Sequence, residues 1–559
     1  MPTRLTVPVP IARGSRGAVV APHHLATSVG LQVLADGGNA VDAAIATNAV
    51  LAVVMPSGCG IGGDAFWLIW DARERRQLAL NGSGRASSGS DRAGLVARGL
   101  TRLPIRGGLS ITVPGAVRSW GDAHTRFGRL ARDRLLAPAI ELADDGFPAW
   151  DGFVEAIERT AAWVRPELGG VGQPWLATYR PGGRAWRPGE IVRLPALAAT
   201  LGHLAGEGFG AFYEGAIATS LARTLATAGS AIAVGDLSGH QSTWTEPIST
   251  TYRGTTVTTH PPNSQGVVAL EILNLLETFE PPAPATFAAG SGADARWIHL
   301  GIEASKLAMA DRDANVADPE FGEVPLGRLL DKAYAASLAA GIDPRQAARR
   351  VPAASRVGGG TIYLAVVDGD GNAVSLIESN YMGFGSGVLD PGTGVHFHNR
   401  GSYFSLDADH PNALEPGKRP LHTLMPGMLL RPDAGGWLNP WVVVGSMGGD
   451  AQPQIHAQVV SGLVDGGLDV QRAVANPRWF VEPEEHFAPP IEVRAEPRFS
   501  RGVLDELRAM GHPVTETAPF HPLLGHCHAI ELVGGGPASD GGSLAAATDP
   551  RSAGLPAVR

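Results

Sequence analysis

The alternation of apolar and polar positions marks out helices and strands in turn. Leu25–Leu34 and Ala40–Val53 carry helical patterns. In the second, small apolar residues (Ala43, Ala44, Ile45, Ala46, Ala49, Val50) fall on every side, which predicts a helix buried on several faces against a sheet. Asn39 stands as its N-cap, Asp42 lies in the first turn where the helix dipole favours it, and Pro56 follows the end. Short β-favouring runs come next, Phe66–Trp70 and Gln77–Leu80, and Trp297–Arg312 reads as an amphipathic helix. Two further runs, from Thr361 and from Ala373 to Ile377, flank Asp368-Gly369-Asp370-Gly371-Asn372, the pattern of a β-hairpin.

Composition adds bounds. At 559 residues the chain exceeds one ordinary domain of roughly 100–200 residues, yet no charge run, Ser/Gly tract or repeat marks a linker. A hydrophobic fraction of 44% and a charged fraction of 18% suit a globular protein with a large core. The 73 glycines and 43 prolines point to many tight turns. A net charge of −9 without a basic stripe argues against a nucleic-acid partner. Two cysteines, Cys59 and Cys527, exclude a disulfide framework and leave a single bond open. No apolar run reaches the roughly 18–20 residues of a membrane span. Ala40–Met55 comes nearest and contains Asp42, Thr47 and Asn48. Met1–Gly17 lacks the apolar segment of a signal peptide, so the sequence reads as cytoplasmic.

Candidate chemistry centres on Gly358-Gly359-Gly360-Thr361. In one reading Thr361 simply starts a strand. In the other it is a nucleophile set free by cleavage of the Gly360–Thr361 bond, because the new α-amine can act as base for its own hydroxyl. Glycine before the cut tolerates the dihedrals that the attack requires. Gly58-x-Gly60-x-x-Gly63 has dinucleotide-fingerprint spacing but follows a helix and precedes a strand, the reverse of what that fingerprint needs. It reads as a closely packed turn. His299 and Glu303 lie one helical turn apart with no third ligand at helical spacing, and they read as structural, as does His396-x-His398. The 368–372 turn begins like a calcium loop, but Ala373 and Ser379 stand where glycine and glutamate are needed.

Several blocks resemble the γ-glutamyltranspeptidases. The pattern T-x-x-x-x-V-V-D-x-x-G-N-A-V at that family's processing site stands here as Thr361, Val366-Val367-Asp368 and Gly371-Asn372-Ala373-Val374. Gly417-Lys418-Arg419-Pro420, Met447-Gly448-Gly449, Asn476-Pro477-Arg478 and Asp549-Pro550-Arg551 follow in family order. Ala35 to Ala44 and Ala310-Asp311-Arg312 lie upstream. The resemblance implies a four-layer αββα sandwich of the N-terminal-nucleophile hydrolase type, built from segments 1–360 and 361–559 that stay associated after cleavage. It implies an amide hydrolase or acyltransferase working through an acyl-Thr361 ester on a small-molecule amide, with no metal or organic cofactor. A homo-oligomer of processed units is left open.

The resemblance also implies site residues. Ser379 falls where the family keeps a hydroxyl that bonds the nucleophile, and Gly448-Gly449 match its oxyanion-hole pair. An arginine normally holds the glutamyl α-carboxylate; here Ser83 takes that place, with Arg85 two residues on as a candidate anchor. Tyr381, Arg400 and Tyr403 stand where the family holds the donor's α-amino group, and His422-Thr423 replace its paired serines. With an arginine in that set the pocket reads as built for a carboxylate and less clearly for an ammonium. Phe404–Gly417 is too short for a lid loop, and Tyr381–Gly387 resembles a divergent lid-less branch that includes transpeptidase-like proteins, glutaryl-cephalosporin acylases and an oxamate amidohydrolase. Two further readings stand beside the enzyme: an unprocessed, catalytically silent binding homologue, and a nucleotide-dependent oxidoreductase resting only on the misplaced glycines.

Overall fold

A computed structural model describes residues 10–288, 292–348, 360–485, 488–537 and 541–559. Gly358, Gly359 and the start of the Met1–Gly17 segment lie outside them.

Two seven-stranded antiparallel sheets are stacked face to face. In order across the first run Ala557–Val558, Ala18–Val20, Gly360–Val367, Ala373–Tyr381, Asp64–Asp71, Arg76–Gly82 and Thr243–Thr245. The second runs Ala12–Gly14, Ser543–Thr548, Cys527–Val533, Leu438–Ser446, Gly427–Pro432, Thr255–Thr259 and Ile248–Tyr252. The period-two alternation of the strands sorts their side chains into three cores. Tyr363, Ala365 and Val367 meet Met428, Val443 and Ile530 between the sheets. Ile362, Leu364 and Val366 face outward against the helix Ala40–Val54. On the far side, Leu429, Val442 and Val444 pack under the helices Gly266–Glu277, Ala295–Asn315 and Gln452–Val464. The result is the expected αββα sandwich, and each predicted element appears within four residues of its expected ends.

Local chemistry explains how the helix Ala40–Val54 is placed. It is buried along its whole length, and Asn39 and Asp42 form a capping box at its start. The 368–372 hairpin turn locks onto the same point: Asp368 accepts from Asp370 and Asn372 within the turn and from the Ala40 N–H at 3.0 Å. The glycines at 58–63 form a tight packed turn, as expected. The Gly60 N–H donates to Glu378 at 2.8 Å, and a Cβ at Gly62 would lie 2.1 Å from the His396 carbonyl oxygen. Cys59 and Cys527 are buried and unbonded to each other. Among the described residues no helix is long and apolar enough to cross a membrane.

Candidate active site

Thr361 and Ser379 are direct partners in the register of adjacent strands, and Ser379 pairs in turn with Asp64. The three therefore form one row across the first sheet. By alternation Thr361 shares the inter-sheet face of Tyr363. A register shift between Gly360 and Thr361 interrupts the ladder where cleavage is expected.

The hydroxyls form a short relay. Thr361 Oγ1 and Ser379 Oγ are 2.9 Å apart, and Ser379 Oγ donates to the Gly360 carbonyl at 2.7 Å while accepting the Tyr381 N–H at 2.7 Å. Because the Ser379 proton goes to that carbonyl, the proton between the two hydroxyls belongs to Thr361. The carbonyl ahead of Thr361 is thus polarised by the same serine that accepts from the attacking hydroxyl.

Next to the relay stands a buried cation. Arg400, 1% exposed, donates through Nη1 to Thr423 Oγ1 at 3.0 Å and lies 4.2 Å from the centre of the Tyr381 ring. Among the described residues its Nε and Nη2 find no hydrogen-bond partner. These are the two nitrogens that form the side-on fork for a carboxylate. Tyr381 holds a φ of +73°, unusual for a bulky residue, and its ring sits 5.5 Å from that of Tyr403. The Tyr403 hydroxyl donates to Asp450, which also receives Arg312.

Gly448-Gly449 follow the strand Leu438–Ser446 after Met447, and that strand packs so closely on the nucleophile strand that a Cβ at Gly445 would lie 2.2 Å from the Tyr363 ring. Their φ values, +150° and +55°, suit glycine. Gln265 connects this turn to the Arg400 cluster by bonding both the Gly449 and Thr423 carbonyls.

Two expectations need correction. Arg85 is engaged elsewhere: its guanidinium bonds Glu320 at 2.7 Å and the Gly417 carbonyl at 3.1 Å, with Asp318 at 3.7 Å. Those partners satisfy it. His422 presents neither ring nitrogen to a substrate. Its Nδ1 accepts the Leu424 N–H, so the proton sits on Nε2, which donates to Asp64 at 3.1 Å. Asp64 also accepts from the Gly84 and Gly115 N–H groups at 3.0 and 3.2 Å. Burial opposes its charge, but His398, the His422 bond and Arg400 outweigh burial and hold the carboxyl at about 2. No third ligand stands at helical spacing from His299 and Glu303, as expected, but His512, from beyond the helix Arg501–Ala509, lies beside them with the ligand atoms within 4.8 Å of one another. Hydrogen bonds engage all three, in keeping with a structural role. His299 Nε2 donates to the Asp343 carbonyl, leaving Nδ1 to accept from His512 Nε2 at 2.7 Å, and Lys306 holds Glu303 at 2.7 Å. His396 and His398 are likewise satisfied separately, by Asn380 and by the Thr112 carbonyl.

Sequence reasoning missed Asp64, Gln265, Arg312 and Asp450 as members of the site. Asp64 sits at the head of a predicted strand and Gln265 at the head of a helix, and only the fold brings them together.

The gamma-glutamyltranspeptidase family profile matches residues 26–558. The chain is 38% identical over 547 residues to the glutathione hydrolase-like YwrD proenzyme of Bacillus subtilis, covering 97% of this chain and 98% of the relative. It is 36% identical over 558 residues to the oxamate amidohydrolase proenzyme of Klebsiella pneumoniae, again covering 97% and 98%. Its fold matches a cephalosporin acylase from Bacillus halodurans with a TM-score of 0.88 at 37% identity, over 100% of this chain and 99% of that one. The matched span includes every residue of the site just described, and the chain belongs to the gamma-glutamyltranspeptidase family of N-terminal-nucleophile amide hydrolases and acyltransferases.

Proposed function

We propose that the chain matures by cutting its own Gly360–Thr361 bond, and that the processed enzyme takes a carboxylate-bearing acyl group from an amide. In maturation, Thr361 Oγ1 attacks the Gly360 carbonyl carbon, the Thr361 hydroxyl proton is relayed by way of Ser379 to the departing Thr361 nitrogen, the Gly360–Thr361 C–N bond breaks, and the amide becomes an ester with a free α-amine. Water then hydrolyses the ester, leaving a Gly360 carboxylate and the Thr361 hydroxyl. In turnover the α-amine is the base that takes the Thr361 proton and the acid that gives it to the leaving amine. The Gly448 and Gly449 N–H groups stabilise the oxyanion. Water, or an acceptor amine, releases the acyl group.

The observation that carries the substrate class is the buried Arg400, whose Nε and Nη2 have no partner among the described residues. Leaving such donors stranded is costly, and a substrate carboxylate satisfies both. Carboxylates able to serve a substrate ammonium are already committed: Asp64 to three donors, Asp450 to Arg312 and Tyr403. The test is kcat/KM of the processed enzyme on glutaryl, γ-glutamyl and pentanoyl amides of one amine. The glutaryl amide should equal or exceed the γ-glutamyl amide. A γ-glutamyl preference of about a hundredfold, roughly 2.7 kcal/mol, would overturn the assignment.

A further inference from the structure

We infer that Gln265 is a positioning residue that sets the oxyanion glycines and the carboxylate anchor with one side chain, an inference that rests on the function proposed above. Gln265 is 0% exposed and immediately precedes the helix Gly266–Glu277. Its Nε2 donates to the Thr423 carbonyl at 2.9 Å and to the Gly449 carbonyl at 3.0 Å. Its Oε1 accepts Arg312 Nη1 at 2.9 Å. The amide can take only this orientation, because both carbonyls are acceptors and the guanidinium is a donor. All three of its polar directions facing the site are therefore used.

The two carbonyls belong to different parts of the chemistry. Gly449 carries one of the N–H groups assigned to the oxyanion, in a left-handed conformation that needs holding. Thr423 holds Arg400 through its hydroxyl, while Gln265 holds Thr423 through its backbone. The segment is fixed on both sides: the Gln265 N–H donates to the His422 carbonyl at 2.8 Å, and Ser264 Oγ to the Leu424 carbonyl at 2.6 Å. Arg312 completes the brace, since it also reaches Asp450, the residue after Gly449. Small displacements of groups that hold a reacting centre cost rate steeply, up to about a hundredfold for an ångström.

Gln265→Glu in the full chain tests this. The glutamate keeps the shape and the Arg312 contact but cannot donate to either carbonyl. Processing is read by mass spectrometry, folding by Tm, and kinetics on glutaryl and pentanoyl amides. We expect a native-like Tm and a loss in kcat/KM of on the order of tenfold on the pentanoyl amide, from the glycine side alone, and on the order of a hundredfold on the glutaryl amide. Adding Arg400→Gln should then cost the glutaryl amide less than the product of the two single losses, because both act through Thr423. A processed Gln265→Glu protein with kcat and KM within twofold of wild type on both substrates overturns the inference. Gln265→Met, which removes the donors without adding charge, must show the same split. Folded but unprocessed variants would support the inference, since the same glycine pair serves self-cleavage. Loss of the native Tm in both variants would overturn it in favour of a plain folding role. Wild-type activity that survives Thr361→Ala would instead sink the parent function, whatever Gln265 does.

Discussion

Replacing Arg400 by glutamine separates recognition of the acyl group from the chemistry at Thr361. In the wild type a carboxylate gains two charge-assisted bonds, to Nε and Nη2, in a site where the guanidinium is 1% exposed. Breaking a buried charge pair by removing one partner costs about 3–5 kcal/mol, which is about two to four powers of ten in kcat/KM. The pentanoyl amide, with a methyl where glutaryl has its carboxylate, makes neither bond and should change less than about threefold, well under 1 kcal/mol. Thr423 and the Tyr381 ring remain to pack a glutamine, so the pocket should survive the change. The assay is kcat/KM of wild type and Arg400→Gln on both amides, with processing verified beforehand. The variant should also shift the ratio of glutaryl to γ-glutamyl turnover toward γ-glutamyl. Equal losses on the glutaryl and pentanoyl amides would refute the reasoning and leave Arg400 as a structural residue.

Other outcomes follow from the same geometry. Thr361→Ala should abolish both self-cleavage and activity, and Thr361→Ser should retain part of each, as gel shift and turnover will show. Ser379→Ala removes the donor to the Gly360 carbonyl and the acceptor for Thr361, and should slow cleavage by about a hundredfold or more in a time course of fragment appearance. Gly62→Ala would force a Cβ to 2.1 Å from the His396 carbonyl, so denaturant unfolding should show a loss of about 2 kcal/mol or more. Burial raises Glu378 from 4.5 to about 8. The folded state then holds a proton that the unfolded chain has lost, and this group's contribution makes stability fall as pH rises from 4.5 to 8. Glu378→Gln should flatten that part of the pH–stability curve; an unchanged slope would contradict the buried, protonated carboxyl.

The helix 40–53 and the 368–372 hairpin were legible because their signals are local: small residues on all faces, the capping pair Asn39 and Asp42, and a turn made of aspartate, glycine and asparagine; the four-layer sandwich was legible only through the family resemblance. Thr361 and Ser379 were legible through the family pattern around the hairpin, and the observed register places them opposite each other. The walls of the pocket were not. Arg85 was misassigned because its partners, Asp318 and Glu320, come from a distant loop that sequence cannot place beside it. His422 was taken for a substrate ligand because nothing local shows that Asp64, more than three hundred residues earlier, claims its Nε2 proton. Gln265 and His512 carry no motif at all, and their roles exist only once separate segments meet.

The most direct test is the intact mass of freshly purified protein, with N-terminal sequencing, followed by the mass after brief exposure to an amide substrate. The account predicts two chains, 1–360 and 361–559, with threonine at the new N-terminus and the acyl group carried on the 361–559 chain during turnover. An uncut chain that nonetheless hydrolyses amides at full rate would contradict it, because Thr361 would then have no α-amine to act as its base.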